Sequence, residues 1–195
     1  PDNGRATKNH SLVVAGTVDA ALARAMRQED HGDSPGDVHR HRSQNFVEAL
    51  ATLFRGQYPE SSGVLVFSRY FGLSELLYDI LVCETAVTPS PFRHRELTYV
   101  RHAIWAIESE FSTNGREALK DFNKLVVSSA EAKLFVGPLS RNPDAFLRPL
   151  AAAARYCTGE VFVALVPPPR QWQLGIWRRA RSWRWDPKDW REIDS

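Results

Sequence analysis

The run Leu76-Leu-Tyr-Asp-Ile-Leu-Val-Cys83 is apolar at odd and even positions alike, with Asp79 the one charge inside it. Alternate residues of a strand face opposite sides, so a strand apolar on both sides belongs in a sheet that is covered on both sides. Residues 160–166 form a second strongly apolar strand of this kind. Between and around them, helical and strand spacing alternate. Phe46, Leu50, Leu53 and Phe54 mark an amphipathic helix over 44–55 with Ser43 as its N-cap. A short strand over 63–67, the Asp79 strand, a Pro-containing loop over 88–96 and a strand over 97–111 follow. Asn114-Gly-Arg-Glu117 then reads as a capping box opening a helix with Ala118, Leu119, Phe122, Leu125, Val126 and Ala130 on its apolar face. A strand over 133–136 and a helix over 143–156 precede the last apolar strand. This alternation predicts an α/β protein: a three-layer α/β/α sandwich around a mixed sheet.

At 195 residues the chain suits one domain with a substantial core. Residues 1–40 are polar and rich in Gly and Pro, and are expected to be a partly flexible N-terminal extension with one short helix over 17–27; residues 41–195 form the α/β domain. Met26 is the only methionine, so the residues before it are compatible with a longer protein or an alternative start. The run His39-Arg-His-Arg42 lies near this boundary and is read as a solvated basic loop. Cys83 and Cys157 sit in apolar contexts as buried free thiols, which leaves no cysteine-built zinc site. No apolar stretch reaches the ~20 residues a membrane helix needs, so no membrane partner and a cytoplasmic location are expected.

Chemistry concentrates in Arg101-His-Ala-Ile-Trp-Ala-Ile-Glu-Ser-Glu-Phe111. On a strand, Glu108 and Glu110 point to the same face, and two adjacent carboxylates repel unless a cation neutralises them. Oxygen ligands favour Mg²⁺, Mn²⁺ or Ca²⁺ over zinc. Asp79 is the third member, because a lone carboxylate in an apolar strand costs several kcal/mol unless it is paired or metal-bound. Asp79 and Glu108 are expected at the same edge of one sheet on adjacent strands. No nucleotide-binding Gly-rich loop and no Gly-x-Ser-x-Gly elbow occurs.

In this order of elements the chain resembles the restriction-endonuclease-like PD-(D/E)xK nucleases, with the likeness covering 43–166. That resemblance implies a DNA-cutting enzyme of restriction, defence or toxin type that uses Mg²⁺ or Mn²⁺. Asp79 and Glu108 take the metal-ligand positions, and Glu110 stands where most members carry lysine, giving a Glu-x-Glu variant of the second motif. In several members the lysine lies in the following helix, which nominates Lys124 as the fourth catalytic residue. The helical wheel opposes this, since a face built on Leu119, Phe122 and Val126 leaves Lys124 beside Glu117 and Asp121 in solvent. Loss of the expected lysine also suits a second reading, a catalytically inactive nuclease-like binding or regulatory module, within a homodimer or a larger protein complex.

The segment 170–185 concentrates arginine and tryptophan. Arg178, Arg179, Arg181 and Arg184 are candidates for phosphate contacts with DNA, with indoles available to stack on bases. The same pattern fits a hairpin packed on the sheet, its tryptophans inward and its arginines reaching outward.

Overall fold

The computed structural model describes residues 10–32, 34–58, 62–72, 76–91, 95–174 and 179–193. Helix α1 (His10–Ala25) and helix α2 (Pro35–Gln57) precede strand β1 (Val64–Phe67) and a 3₁₀ turn (Arg69–Phe71). Strands β2 (Ile80–Pro89) and β3 (Glu96–Ser109), helix α3 (Gly115–Val126), strand β4 (Ala132–Pro138), helix α4 (Pro143–Ala154) and strand β5 (Glu160–Val166) follow. A second 3₁₀ turn (Pro169–Leu174) leads to strands β6 (Arg181–Asp186) and β7 (Asp189–Ile193).

The strands lie side by side in chain order. The pairs β3–β4 and β4–β5 are parallel, and the other neighbours are antiparallel. The parallel pairs require crossovers, which α3 and α4 supply. Both pack on one face of the sheet, where Phe122, Leu125, Leu147 and Leu150 meet Phe135, Val163 and Leu165. The opposite face carries α1 and α2, whose Val18, Leu22, Phe46 and Phe54 surround Trp105 and Phe162. Trp105 is fully buried, lies 5.4 Å from Phe54 ring to ring, and donates its indole N–H to Tyr58 at 3.1 Å. The chain is therefore an α/β protein with a mixed sheet between two helical layers. Among the described residues no helix is long and apolar enough to cross a membrane.

The N-terminal region departs from its expected role as an extension. Helix α1 begins at His10 rather than at residue 17, and Val14, Val18, Ala21 and Leu22 are wholly buried in the core. Its apolar stripe starts ahead of the point where the polar composition was expected to end. Helix α1 ends at Ala25, and in the Gly- and Pro-containing residues 30–36 Ser34 caps α2 and Pro35 opens it, with the Asp37 amide donating to Ser34 Oγ at 3.2 Å. Proline at the first helical position lacks only an N–H that would have had no helical partner. His39 to Arg42 are consequently helical. Arg42 is 5 % exposed, binds both oxygens of Asp30 at 2.6 Å, and donates to the Pro169 carbonyl, which ties the α1–α2 connection to the turn after β5.

Asp79 does not sit within a strand. Strand β2 begins at Ile80, and the residues before it include Leu77 with φ of 71°, a left-handed conformation that is unusual for a branched side chain. Gly159, between α4 and β5, has φ of 71°, and a Cβ there would lie 2.3 Å from the Glu131 carbonyl oxygen, so only glycine fits. Cys83 is buried and Cys157 half-buried, both as free thiols.

Candidate metal-dependent site

The pairing of β2 with β3 matches Ile80 to Ile107. Asp79 comes one residue before that rung and Glu108 one residue after it, so both residues stand at the same end of this strand pair. Asp79 Oδ2 accepts from the Ser109 amide at 2.9 Å and from Ser109 Oγ at 2.6 Å. These two bonds lock Asp79 against the end of β3.

Glu108 is 1 % exposed on the face that α3 covers. One oxygen, Oε2, accepts from Lys124 Nζ at 3.0 Å, and the other, Oε1, is buried without a hydrogen-bond partner among the described residues. A buried carboxylate oxygen with no donor is costly, and its cost is relieved by protonation or by a cation. Burial first, and then repulsion from Asp79, push the Glu108 carboxyl up to about 8, outweighing the attraction of Lys124.

Lys124 reaches this position because the buried face of α3 centres on Ala118, Phe122 and Leu125, with Leu119 and Val126 packed only partly buried at its edge, where the wheel places its centre. That rotation carries Lys124 to the rim of the sheet, between Glu108 and Asp121, each 3.0 Å from Nζ. Burial lowers its proton affinity, but the bonds to Asp121 and Glu108 prevail and hold the ammonium above its usual range. The Lys124 carbonyl also lies 3.5 Å from the Tyr78 hydroxyl, beside Asp79.

Glu110 parts from Glu108, while sharing a cleft on the α2 side of the sheet with Asp79. Strand β3 ends at Ser109, and alternation of faces does not extend past a strand's end. Its carboxylate accepts from the Ser112 amide at 2.6 Å and lines a cleft on the α2 side of the sheet. The three-carboxylate arrangement of Asp79, Glu108 and Glu110 is therefore not formed. Among the described residues no three His, Cys, Asp or Glu side chains are grouped to hold a metal ion. What remains is an electrostatic pairing: Glu108 lies on the α3 face beside Lys124, which also pairs with Asp121, and feels the charge of Asp79, which lines the cleft on the α2 side.

The described C-terminal arginines lie elsewhere. Arg178 is outside the described residues, and Arg179 is exposed ahead of β6. Arg181 makes a two-pronged pair with Glu192 at 2.7 Å and covers the Trp183 ring, and Arg184 pairs with Glu160 at 2.8 Å. Trp183 is buried, and Trp190 donates to the Leu147 carbonyl at 3.1 Å, so the β6–β7 hairpin packs on the sheet and on α4. Strands β4 and β5 separate it from Glu108.

Sequence reasoning passed over Ser109, Asp121 and the α2 residues beside Asp79. Ser109 is the middle residue of Glu-x-Glu, and its position on β3 was the signal; Asp121 precedes Lys124 by one helical turn. No family model matches the chain, and searches of curated proteins and of solved structures return no similar protein.

Proposed function

We propose that the protein is a metal-dependent nuclease that hydrolyses DNA phosphodiesters, with Asp79 and Glu108 holding one Mg²⁺ or Mn²⁺. The observation that carries this reading is the orphaned Oε1 of Glu108, an oxygen of an almost wholly buried carboxyl group that has no hydrogen-bond partner among the described residues and feels the charge of Asp79. A hard cation satisfies that oxygen and offsets the Asp79–Glu108 repulsion, and Mg²⁺ commonly takes only one or two carboxylates while keeping several waters. When bound, the ion supplies Lewis-acid stabilisation of a phosphoryl oxygen and a water of lowered pKa. The order α2, β1–β2–β3 antiparallel, α3, then β4 parallel to β3 supports the restriction-endonuclease-like assignment, and Lys124 at Glu108 supports the migrated-lysine variant.

The chain's own groups divide the work. Ser109 fixes Asp79 through its amide and hydroxyl, so this ligand is oriented before substrate arrives. Lys124 keeps its proton well above neutral pH, so its contribution is positive charge beside the forming pentacovalent phosphate, not base catalysis. Glu110, tied to the Ser112 amide, has a structural and cleft-lining role in place of metal ligation.

Purified protein is expected to nick or linearise supercoiled plasmid with Mg²⁺ or Mn²⁺ and to stop when chelator is added. Lys124→Ala is expected to lower the single-turnover rate by about 10²-fold or more at unchanged DNA affinity, the loss typical of one transition-state charge partner. Plasmid left intact across both metals and several substrates would favour the non-cutting module, and full activity in Lys124→Ala would make this a surface lysine.

A further inference from the structure

A cleft of about 360 Å³ opens on the α2 side of Asp79, within the size range of small-ligand sites. One face of α2 contributes His39, Arg40, Ser43, Gln44 and Val47; the opposite wall is Arg69, Asp79 and Ser109 to Ser112. The α2 residues recur at one-turn intervals, which is why they share a face. Two polar atoms along this cleft are buried without a hydrogen-bond partner among the described residues, Nδ1 of His39 and Oγ of Ser112. Burial, then the charge of Arg170, lower the proton affinity of His39, while Glu110 across the cleft acts against them.

Two guanidinium groups frame the opening. Arg40 is exposed and spends one donor on Asp37 within its own helix turn. The Arg69 guanidinium carbon sits 4.8 Å from the Tyr70 ring centroid and one of its nitrogens donates to the Tyr70 hydroxyl at 2.6 Å, which holds the group in place. Planar, oriented guanidiniums suit phosphate oxygens.

We infer that this cleft seats a backbone phosphate of the nucleic-acid strand flanking the scissile bond, gripped by Arg40 and Arg69 with Ser112 and His39 completing its hydrogen bonds. The inference rests on the nuclease reading for its link to cleavage, and it moves strand binding from the C-terminal arginines to α2 and the turn after β1. Asp79 and Glu110 line the same cleft, so an entering phosphate meets two carboxylates as well as two arginines. A divalent cation on Asp79 removes one of those repulsions. Cation and strand therefore bind cooperatively, and each raises the other's affinity by the same factor.

The test is anisotropy of a labelled single-stranded and a labelled duplex oligonucleotide with Ca²⁺ or with chelator, strand integrity being checked on gels. Wild type is expected to bind more tightly with Ca²⁺. Arg40→Ala/Arg69→Ala, both exposed positions whose folding is verified by melting temperature, is expected to lose tenfold or more in affinity, with the log–log salt slope shallower by about two. Unchanged affinity in that variant, loss only in Arg181→Ala/Arg184→Ala, or a mononucleotide competing as well as the strand would each overturn the cleft. Cleavage assays separate the two claims. Cutting at unchanged KM by the Arg40/Arg69 variant leaves the nuclease and removes the cleft, whereas binding lost in that variant without any cutting by wild type leaves the cleft and removes the nuclease.

Discussion

Asp79→Asn is expected to reduce Mg²⁺-dependent plasmid cleavage by about 10³-fold while the melting temperature in chelator stays close to wild type. Asparagine keeps an oxygen that can accept from the Ser109 amide and hydroxyl, so the end of β3 remains anchored. What it removes is the negative charge, and with it most of the attraction for a divalent ion. Losses of several kcal/mol in transition-state stabilisation follow when a catalytic metal is displaced, which sets the magnitude. Because the hydrogen bonds survive, this substitution separates a charge requirement from a packing requirement. A variant that unfolds, or one that cuts at the wild-type rate, would show that Asp79 acts as a structural acceptor alone.

The second large effect is on stability, and its sign follows from Glu108. The folded carboxyl is pushed up to about 8 from an ordinary 4.5 by burial and by Asp79. Below the ordinary value both folded and unfolded chains carry the proton, and the native environment of the neutral acid contributes fully. Between about 4.5 and about 8 the unfolded chain has released the proton and the folded chain retains it, so stability falls as pH rises. In chelator, the difference in unfolding free energy between wild type and Glu108→Gln should therefore shrink or reverse across that window, by several kcal/mol in total. Mg²⁺ competes with the proton for the carboxylate, so its stabilisation of the wild type should grow with pH and be small in Glu108→Gln. Parallel pH profiles for the two proteins would place Glu108 in an ordinary ion pair with Lys124.

Local signals in the sequence were read correctly where one residue settles the conformation. Asn114 caps α3 as its spacing to Glu117 suggests, its side chain accepting from the Arg116 amide at 3.0 Å. The doubly apolar runs lie in a sheet covered on both faces, because a strand with no polar side admits no other placement. Errors arose where the same residue carries two meanings. The Gly- and Pro-rich composition up to residue 40 points to an extension, but Pro35 and Gly36 open α2, so reading His39–Arg42 as a basic loop hides the helical phase of His39 and Arg40 and the cleft they line. Glu110 was assigned the face of Glu108 because a period of two was extended past the end of β3. A wheel for α3 centred on Leu119, Phe122 and Val126 misplaces the face, because Ala118 and Leu125 are buried while Leu119 and Val126 stay partly exposed at its edge, a shift that depends on the residues of β4 and α4 and cannot be read from α3 alone. The orphaned oxygen of Glu108 is likewise a product of three elements meeting and has no signature in any one of them.

Direct titration of Mn²⁺ binding, followed by loss of the free-ion paramagnetic resonance signal, tests whether Asp79 and Glu108 share one ion. Wild type, Asp79→Asn, Glu108→Gln and Glu110→Gln would be compared at the same pH. One site in the wild type, weakened at least tenfold in the first two variants and retained in Glu110→Gln, is the expected result. Equal binding by all four proteins, or a site lost only with Glu110, would contradict the assignment of the ion to Asp79 and Glu108.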